Sequence, residues 1–180
     1  MANAEEKTIY FITGASGVGK TTLLDQLETK YKSKPWSFHH FDQIGVPSLD
    51  EMTTEFGSPS GWQEAKAYEW IDRLVHTTDG ENIFLEGQVN LQFIRKGFSK
   101  NNFDNYQIVL IDCSDEEMER RLIYLRKQPE LFNPDMKNWL KFLRKQSREF
   151  NATIINNSNV SKEELLRKFE RATFLSDKEQ

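Results

Sequence analysis

Gly14-Ala15-Ser16-Gly17-Val18-Gly19-Lys20-Thr21 fits the pattern G-x-x-x-x-G-K-[ST] at every fixed position, and those residue types at that spacing bind a polyphosphate. The three glycines let the backbone turn tightly and bring successive N–H groups close to phosphate oxygens, with no Cβ in the way. Lys20 then sets an ammonium against the β- and γ-phosphates. The Thr21 hydroxyl takes one coordination position on Mg²⁺, an ion that keeps several waters, and Thr22 adds an α-phosphate contact. A helix that starts where the loop closes adds the positive end of its dipole to the same charge.

Such a loop works between a strand and a helix, and both flank it. Residues 8–13 are a β-branched and aromatic run of strand length that stops at the first glycine. After the loop, Leu23, Leu24, Leu27 and Tyr31 recur at helical spacing. With strand, loop and helix in that order, the chain resembles the P-loop NTPase superfamily.

In open parallel sheets ligands lie beyond the carboxyl ends of the strands, so acidic residues at strand ends are the next candidates. Residues 36–41 read as a second strand with Asp42 at its carboxyl end, facing the same crevice as the loop. A carboxylate there accepts a substrate hydroxyl proton or holds a magnesium water; the alternative is a cap on the following turn. His39 and His40 are neighbours on one strand, so they face opposite sides of the sheet and do not form a zinc pair. Residues 82–88 are the third strand, and Glu86 is its Walker B candidate, orienting Mg²⁺ through water or acting as a base. Asp112, which closes residues 106–111, is the alternative. Glu86 has the better setting because Gly87 lets a ligand approach the backbone. Gln88, Asn90 and Arg95 follow where substrate polar groups are read.

Residues 45–61 carry Pro47, Gly57 and Pro59 and read as a long loop with at most a short helix. From Ser60 or a neighbour a helix runs towards Asp79-Gly80, with Trp62, Ala65, Glu69, Trp70, Ile71, Leu74 and Val75 on its inner side. Trp62, Tyr68 and Trp70 cannot all share one face, which leaves one to stack on a planar substrate. Ser114-Asp115-Glu116-Glu117 is a capping box that opens another helix. Met118, Leu122 and Leu125 form its buried stripe. At about 100° per residue, Arg121 and Arg126 flank that stripe and Arg120 points away. Arg121 is thus a candidate for the nucleotide base and Arg126 for the transferring phosphate, against a plain reading as surface arginines.

Residues 127–150 are basic and aromatic and read as a mobile flap. Trp139, Leu140 and Leu143 with Lys141, Arg144, Lys145 and Arg148 suggest an amphipathic helix that closes over phosphates, or else one that is simply docked. Residues 152–157 make a fifth strand, and Ser161-Lys162-Glu163-Glu164 caps a last helix packed by Leu165, Leu166 and Phe169. The turn of residues 156–159, with Asn157, is placed to contact a purine.

The order of these parts is similar to that of the nucleoside and nucleotide kinase group, to which shikimate, gluconate and deoxynucleoside kinases belong. The resemblance implies a three-layer α/β fold, with a five-stranded parallel sheet of order 2-3-1-4-5, helices on both faces, and a helical lid over residues 127–150. It also implies ATP as donor, Mg²⁺ as cofactor and a small-molecule acceptor. Asp42 resembles the carboxylate these kinases place after their second strand, Arg121 the arginine packed on adenine, and Arg126 a lid arginine. Residues 40–47 are also similar to a stretch in uncharacterised bacterial members of the superfamily. No Asn-Lys-x-Asp signature is present, which argues against a GTPase. The segment after the third strand lacks the patterns of shikimate and adenylate kinases, so the acceptor stays open. The expected activity is ATP-dependent phosphoryl transfer to a small acceptor; a nucleotide-operated switch or adaptor, and a polynucleotide or nucleotide-sugar kinase, are the alternatives.

The bulk properties set outer limits. A length of 180 residues suits a single α/β domain over 1–180. A net charge of −4 argues against a broad nucleic-acid footprint. The single cysteine, Cys113, excludes an internal disulfide and reads as a strand-end core residue. Residues 1–7 lack an apolar signal core and no run reaches the length of a membrane span, so a soluble, cytoplasmic protein is expected, with a polar tail at 176–180 that frays.

Overall fold

A computed structural model describes residues 7–78 and 80–173; the expectations for the first six residues and for the tail lie outside them. Five strands, Thr8–Thr13 (β1), Trp36–His40 (β2), Asn82–Glu86 (β3), Tyr106–Asp112 (β4) and Thr153–Asn156 (β5), form one sheet. Its order is β2-β3-β1-β4-β5 and every adjacent pair is parallel, as expected. The three central strands are near-continuous apolar runs because both faces of a parallel sheet are covered.

Successive residues of β1 serve opposite layers. Ile9 and Phe11 pack with Ile83, Leu85 and Leu110 under the helices Pro59–His76 (α3) and Leu91–Lys100 (α4). Tyr10 and Ile12 pack with Phe84, Val109 and Ile111 under Lys20–Tyr31 (α1) and Lys162–Ala172 (α7). Phe11 and Phe84 are fully buried, worth roughly 2 to 3 kcal/mol each. Cys113 sits in the second layer, 1% exposed, and burial pushes its thiol up to about 11.

Strand register carries the site. Ile12 of β1 lies opposite Glu86 of β3, and Glu86 lies opposite His40 of β2. The loop after β1 and these two side chains therefore reach the same rim of the sheet.

The stretch 45–61 holds the short helix the sequence allows but is otherwise not a long loop. Ser48 and Glu51 form a capping box for Leu49–Phe56 (α2), Gly57 ends that helix at φ 79°, and Ser58 and Pro59 open α3. The Pro and Gly residues there are caps of two adjacent helices rather than loop breakers. α3 ends at His76, and its buried residues are Trp62, Ala67, Trp70, Ile71 and Leu74. Glu69, expected inside, pairs instead with Lys66 and Arg73. Of the expected Asp79-Gly80 stop, Asp79 lies outside the described residues.

The helix after β4, Asp115–Glu119 (α5), runs into one π-helical turn, Arg120–Leu125, closed by Arg126 N donating to Arg121 O at 2.9 Å. The wider turn breaks the expected stripe. Leu122 stays fully buried, but Leu125 swings out to 62% exposure.

The expected lid divides. Pro134–Glu149 (α6) is the crossover helix between β4 and β5, and its Leu140 and Leu143 are fully buried. Arg144 ties it to β4, donating from Nε to Asp112 Oδ2 at 2.8 Å and from Nη2 to Cys113 O at 2.7 Å. Gln146 ties it to α4, accepting from Leu91 N at 3.1 Å and donating to Asn90 Oδ1 at 2.7 Å. That helix belongs to the body, and in the rest of the segment Leu131 and Phe132 pack against the layer of α1. Among the described residues no helix is long and apolar enough to cross a membrane.

Candidate active site

The glycine loop opens α1 with Gly19 as its first cap, at φ 105° and with no side-chain capping bond, and the first turn holds no acidic residue. The first N–H groups of α1 are thus free of side-chain acceptors, which leaves the positive end of the helix to an anion. A Cβ on Gly19 would stand 2.6 Å from Asn157 Nδ2. Only glycine fits there.

The loop is braced from the far half of the chain. Asn157 Nδ2 donates to Val18 O at 2.7 Å, and Arg121 Nη1 donates to the same oxygen at 3.1 Å. Arg121 Nη2 donates to Asn157 O at 2.6 Å and its Nε to Glu117 Oε1 at 2.8 Å. Hydrogen bonds from Arg120, with the charge of Arg121 beside them, hold the Glu117 carboxyl below the usual range. Arg121 and Asn157 are expected at the nucleotide base. Both line the cavity, but their polar atoms hold the loop, and what Arg121 has left to offer a ligand is the flat face of its guanidinium.

Lys20 is buried and donates from Nζ to Ala15 O at 2.9 Å. Burial pushes its ammonium down to about 8; Arg126 acts in the same direction, and Glu86 and Asp42 oppose it. Glu86 Oε1 meets Thr21 Oγ1 at 3.5 Å and His40 Nδ1 at 2.8 Å. A carboxylate only accepts, so His40 carries its proton on Nδ1. Thr21, Glu86 and Lys20 all face one cavity of about 620 Å³. Ser16, Gly17, Thr22 and Arg126 line it as well, with Arg126 exposed at the end of the π turn.

Asp42 also lines this cavity. It stands not at the strand end but in a 3-10 turn, Phe41–Ile44, because β2 stops at His40. Gln43, whose Oε1 accepts from His40 N at 3.3 Å, ties that turn back to the strand. The Asp42 carboxylate makes no hydrogen bond among the described residues and is exposed. Asp112 lies outside the cavity, occupied by Arg144. The bare Cα of Gly87 is filled by a protein side chain: a Cβ there would be 2.5 Å from that of Phe41.

Of the later polar candidates, Gln88 reaches the cavity. Asn90 caps α4, accepting from Gln92 N at 2.9 Å, and Arg95 lies 4.4 Å over the Phe150 ring. Of the three aromatics in α3, Trp62 lines the cavity, Trp70 donates to Phe41 O at 2.9 Å, and Tyr68 bonds Glu64. Sequence reasoning misses His40, whose contact depends on strand pairing, and Lys162, which faces the cavity from the first turn of α7.

Among the described residues no three His, Cys, Asp or Glu side chains gather as a metal cage. Two oxygens, Thr21 Oγ1 and Glu86 Oε1, beside the glycine loop are nonetheless a donor set that fits Mg²⁺, an ion bound through few protein groups together with phosphates and water.

Comparison with protein-family models and with curated proteins finds no match. Solved structures match along nearly the whole chain. A gluconokinase from Sinorhizobium meliloti superposes with a TM-score of 0.67 at 14% identity, over 99% of this chain and 100% of that one. Shikimate kinase from Acinetobacter baumannii, in complex with shikimate, gives 0.65 at 16% identity over 98% and 97%. Shikimate kinase from Aquifex aeolicus gives 0.63 at 18% identity over 94% and 98%. The chain has the fold of P-loop small-molecule kinases.

Proposed function

We propose that the protein is an ATP-dependent phosphotransferase that passes the γ-phosphoryl group to a hydroxyl of a small acceptor. The observation that carries this reading is the unpartnered Asp42 carboxylate, which shares one cavity with the Lys20 cradle. The loop amides and Lys20 bind the phosphates, the ammonium exchanging Ala15 O for phosphate oxygens. Thr21 would hold Mg²⁺ directly and Glu86 through water, where the ion would neutralise charge on the β- and γ-phosphates. Asp42 takes the acceptor hydroxyl proton as the acceptor oxygen bonds to the γ-phosphorus. The bond to the bridging oxygen breaks and ADP leaves. Arg126 stabilises the charge in flight, and Arg121 lies flat against the base.

The direct test is ADP release with Mg²⁺ across nucleosides, nucleotides, sugars and hydroxy acids, with Lys20→Met as control. Acceptor-dependent release from the native protein alone is the expected result. Tight ATP binding with no stimulation anywhere in that panel would overturn it in favour of a nucleotide-operated switch.

His40 yields a narrower prediction. His40→Ala frees the Glu86 carboxylate to turn away from Thr21, and loss of such an outer partner costs about 10- to 100-fold in metal affinity or activity. A Mg²⁺ titration of ADP release should show the half-activating concentration raised on that scale. An unchanged titration curve sinks the assignment.

A further inference from the structure

The cavity is electrostatically lopsided. Its cations, Lys20, Arg121, Arg126 and Lys162, come from the loop, the π turn and the start of α7. The opposite wall is made by the turns after β2 and β3 and the first turn of α3, which contribute Phe41, Asp42, Trp62, Gln63 and Gln88. Among the described residues this wall presents no cation, and its one charge is negative. The nearby cations are used elsewhere: Lys66 pairs with Glu69 at 2.8 Å, Lys96 stands 4.0 Å from Glu64, and Arg95 covers Phe150.

The wall is also fixed in advance. Gln63 is used up at both ends, donating to Gln88 O at 3.0 Å and accepting from Asn90 N at 3.0 Å. The Trp62 and Phe41 rings meet edge to face, 6.0 Å apart at 87°, and Trp70 holds the Phe41 carbonyl. A ligand therefore meets an apolar floor, a carboxylate that only accepts, and the Gln88 amide, which is exposed, donates and accepts, and makes no side-chain hydrogen bond among the described residues. An acceptor carrying its own carboxylate or phosphate would lose hydration there and face Asp42 with no cation on that wall, the Lys20 ammonium that Asp42 feels being committed to the loop side.

We infer that the acceptor is an uncharged hydroxyl compound with a flat polar ring, of the nucleoside class, and that Asp42, Trp62 and Gln88 select it over sugar acids and other carboxylates. This rests on the phosphotransferase reading. The hydroxyl goes to Asp42, the ring lies on the Phe41–Trp62 floor, and the Gln88 amide reads a ring heteroatom.

The test compares adenosine, guanosine, cytidine, uridine and thymidine with gluconate and shikimate. ADP release is measured with Mg·ATP, and binding by calorimetry with a non-hydrolysable ATP analogue in place. At least one nucleoside should stimulate release and bind about tenfold or more tighter than either acid. Gln88→Arg, at an exposed position, should shift the preference towards the acids by about tenfold, because the wall then offers the missing cation. Preferential use of gluconate or shikimate by the native protein overturns this inference and leaves the phosphotransferase reading standing. Release stimulated by no compound, with no nucleoside bound, overturns both.

Discussion

Lys20→Met lowers ATP turnover by about three orders of magnitude and yet makes the ligand-free protein more stable. The loss follows from position, since Lys20 is the buried cation beside the glycine loop that the proposed function sets against phosphate. The gain follows from its titration. Burial lowers its pKa from 10.5 to about 8, so below pH 8 the residue is charged both folded and unfolded, and the fold carries the whole cost of burying the charge. Between pH 8 and 10.5 the folded protein has given up that proton while the unfolded chain still binds it, so stability rises with pH and the cost fades. The difference of 10.5 − 8 corresponds to about 3 kcal/mol. Methionine keeps the volume and removes the charge, while Ala15 O loses its ammonium donor, which leaves a net gain of about 1 kcal/mol at pH 7 and a Tm higher by about 3 °C. Calorimetry at pH 7 and pH 9.5 should show the gap between variant and native protein narrowing at the higher pH. A variant that turns over normally, or melts lower at pH 7, contradicts the assignment.

Gly19→Ala is the second large effect. The new methyl meets Asn157 Nδ2 at 2.6 Å, so Asn157 must leave Val18 O, and an L residue must hold φ 105°. Strain of that kind costs about 1–3 kcal/mol, and the displaced brace loosens the amides that face phosphate. ATP affinity should fall about 100-fold, with a lower Tm. Gly57→Ala is the control: its φ is 79°, and nothing lies within 4 Å of the new methyl. It should share the loss of Tm and keep native ATP affinity. Equal ATP affinity in the two variants would refute a role for the brace in binding.

The loop and the strands are legible in the sequence because each rests on local signals: the glycine spacing, apolar runs that end in turns, and Ser-x-x-Glu caps; the strand order, which depends on pairing between distant runs, comes only with the resemblance. What was not legible depends on pairing or on a change of helical pitch. His40 meets Glu86 only through the register of β2 on β3. Leu125 leaves the core only because Arg120–Leu125 winds as a π turn, which no 100° periodicity registers. In residues 45–61 the short helix and the start of α3 fit the sequence reading, but the long loop does not, because Pro47, Gly57 and Pro59 punctuate helix ends and loops alike. Basic residues in and beside the segment 127–150 have two uses: Arg144 anchors α6 to Asp112, whereas Arg126, just before the segment, faces the cavity.

The brace on Val18 also sets a schedule for synthesis. Its two donors lie 103 and 139 residues downstream, and β1 sits between β3 and β4, so the cradle leaves the ribosome long before its supports. A nascent chain stalled before Asn157 has the entire glycine motif and lacks a contact that shapes it. On the proposed function, nucleotide capture would be a late event in the life of the polypeptide, and a ligand that favours the finished fold would act after Asn157 has been made.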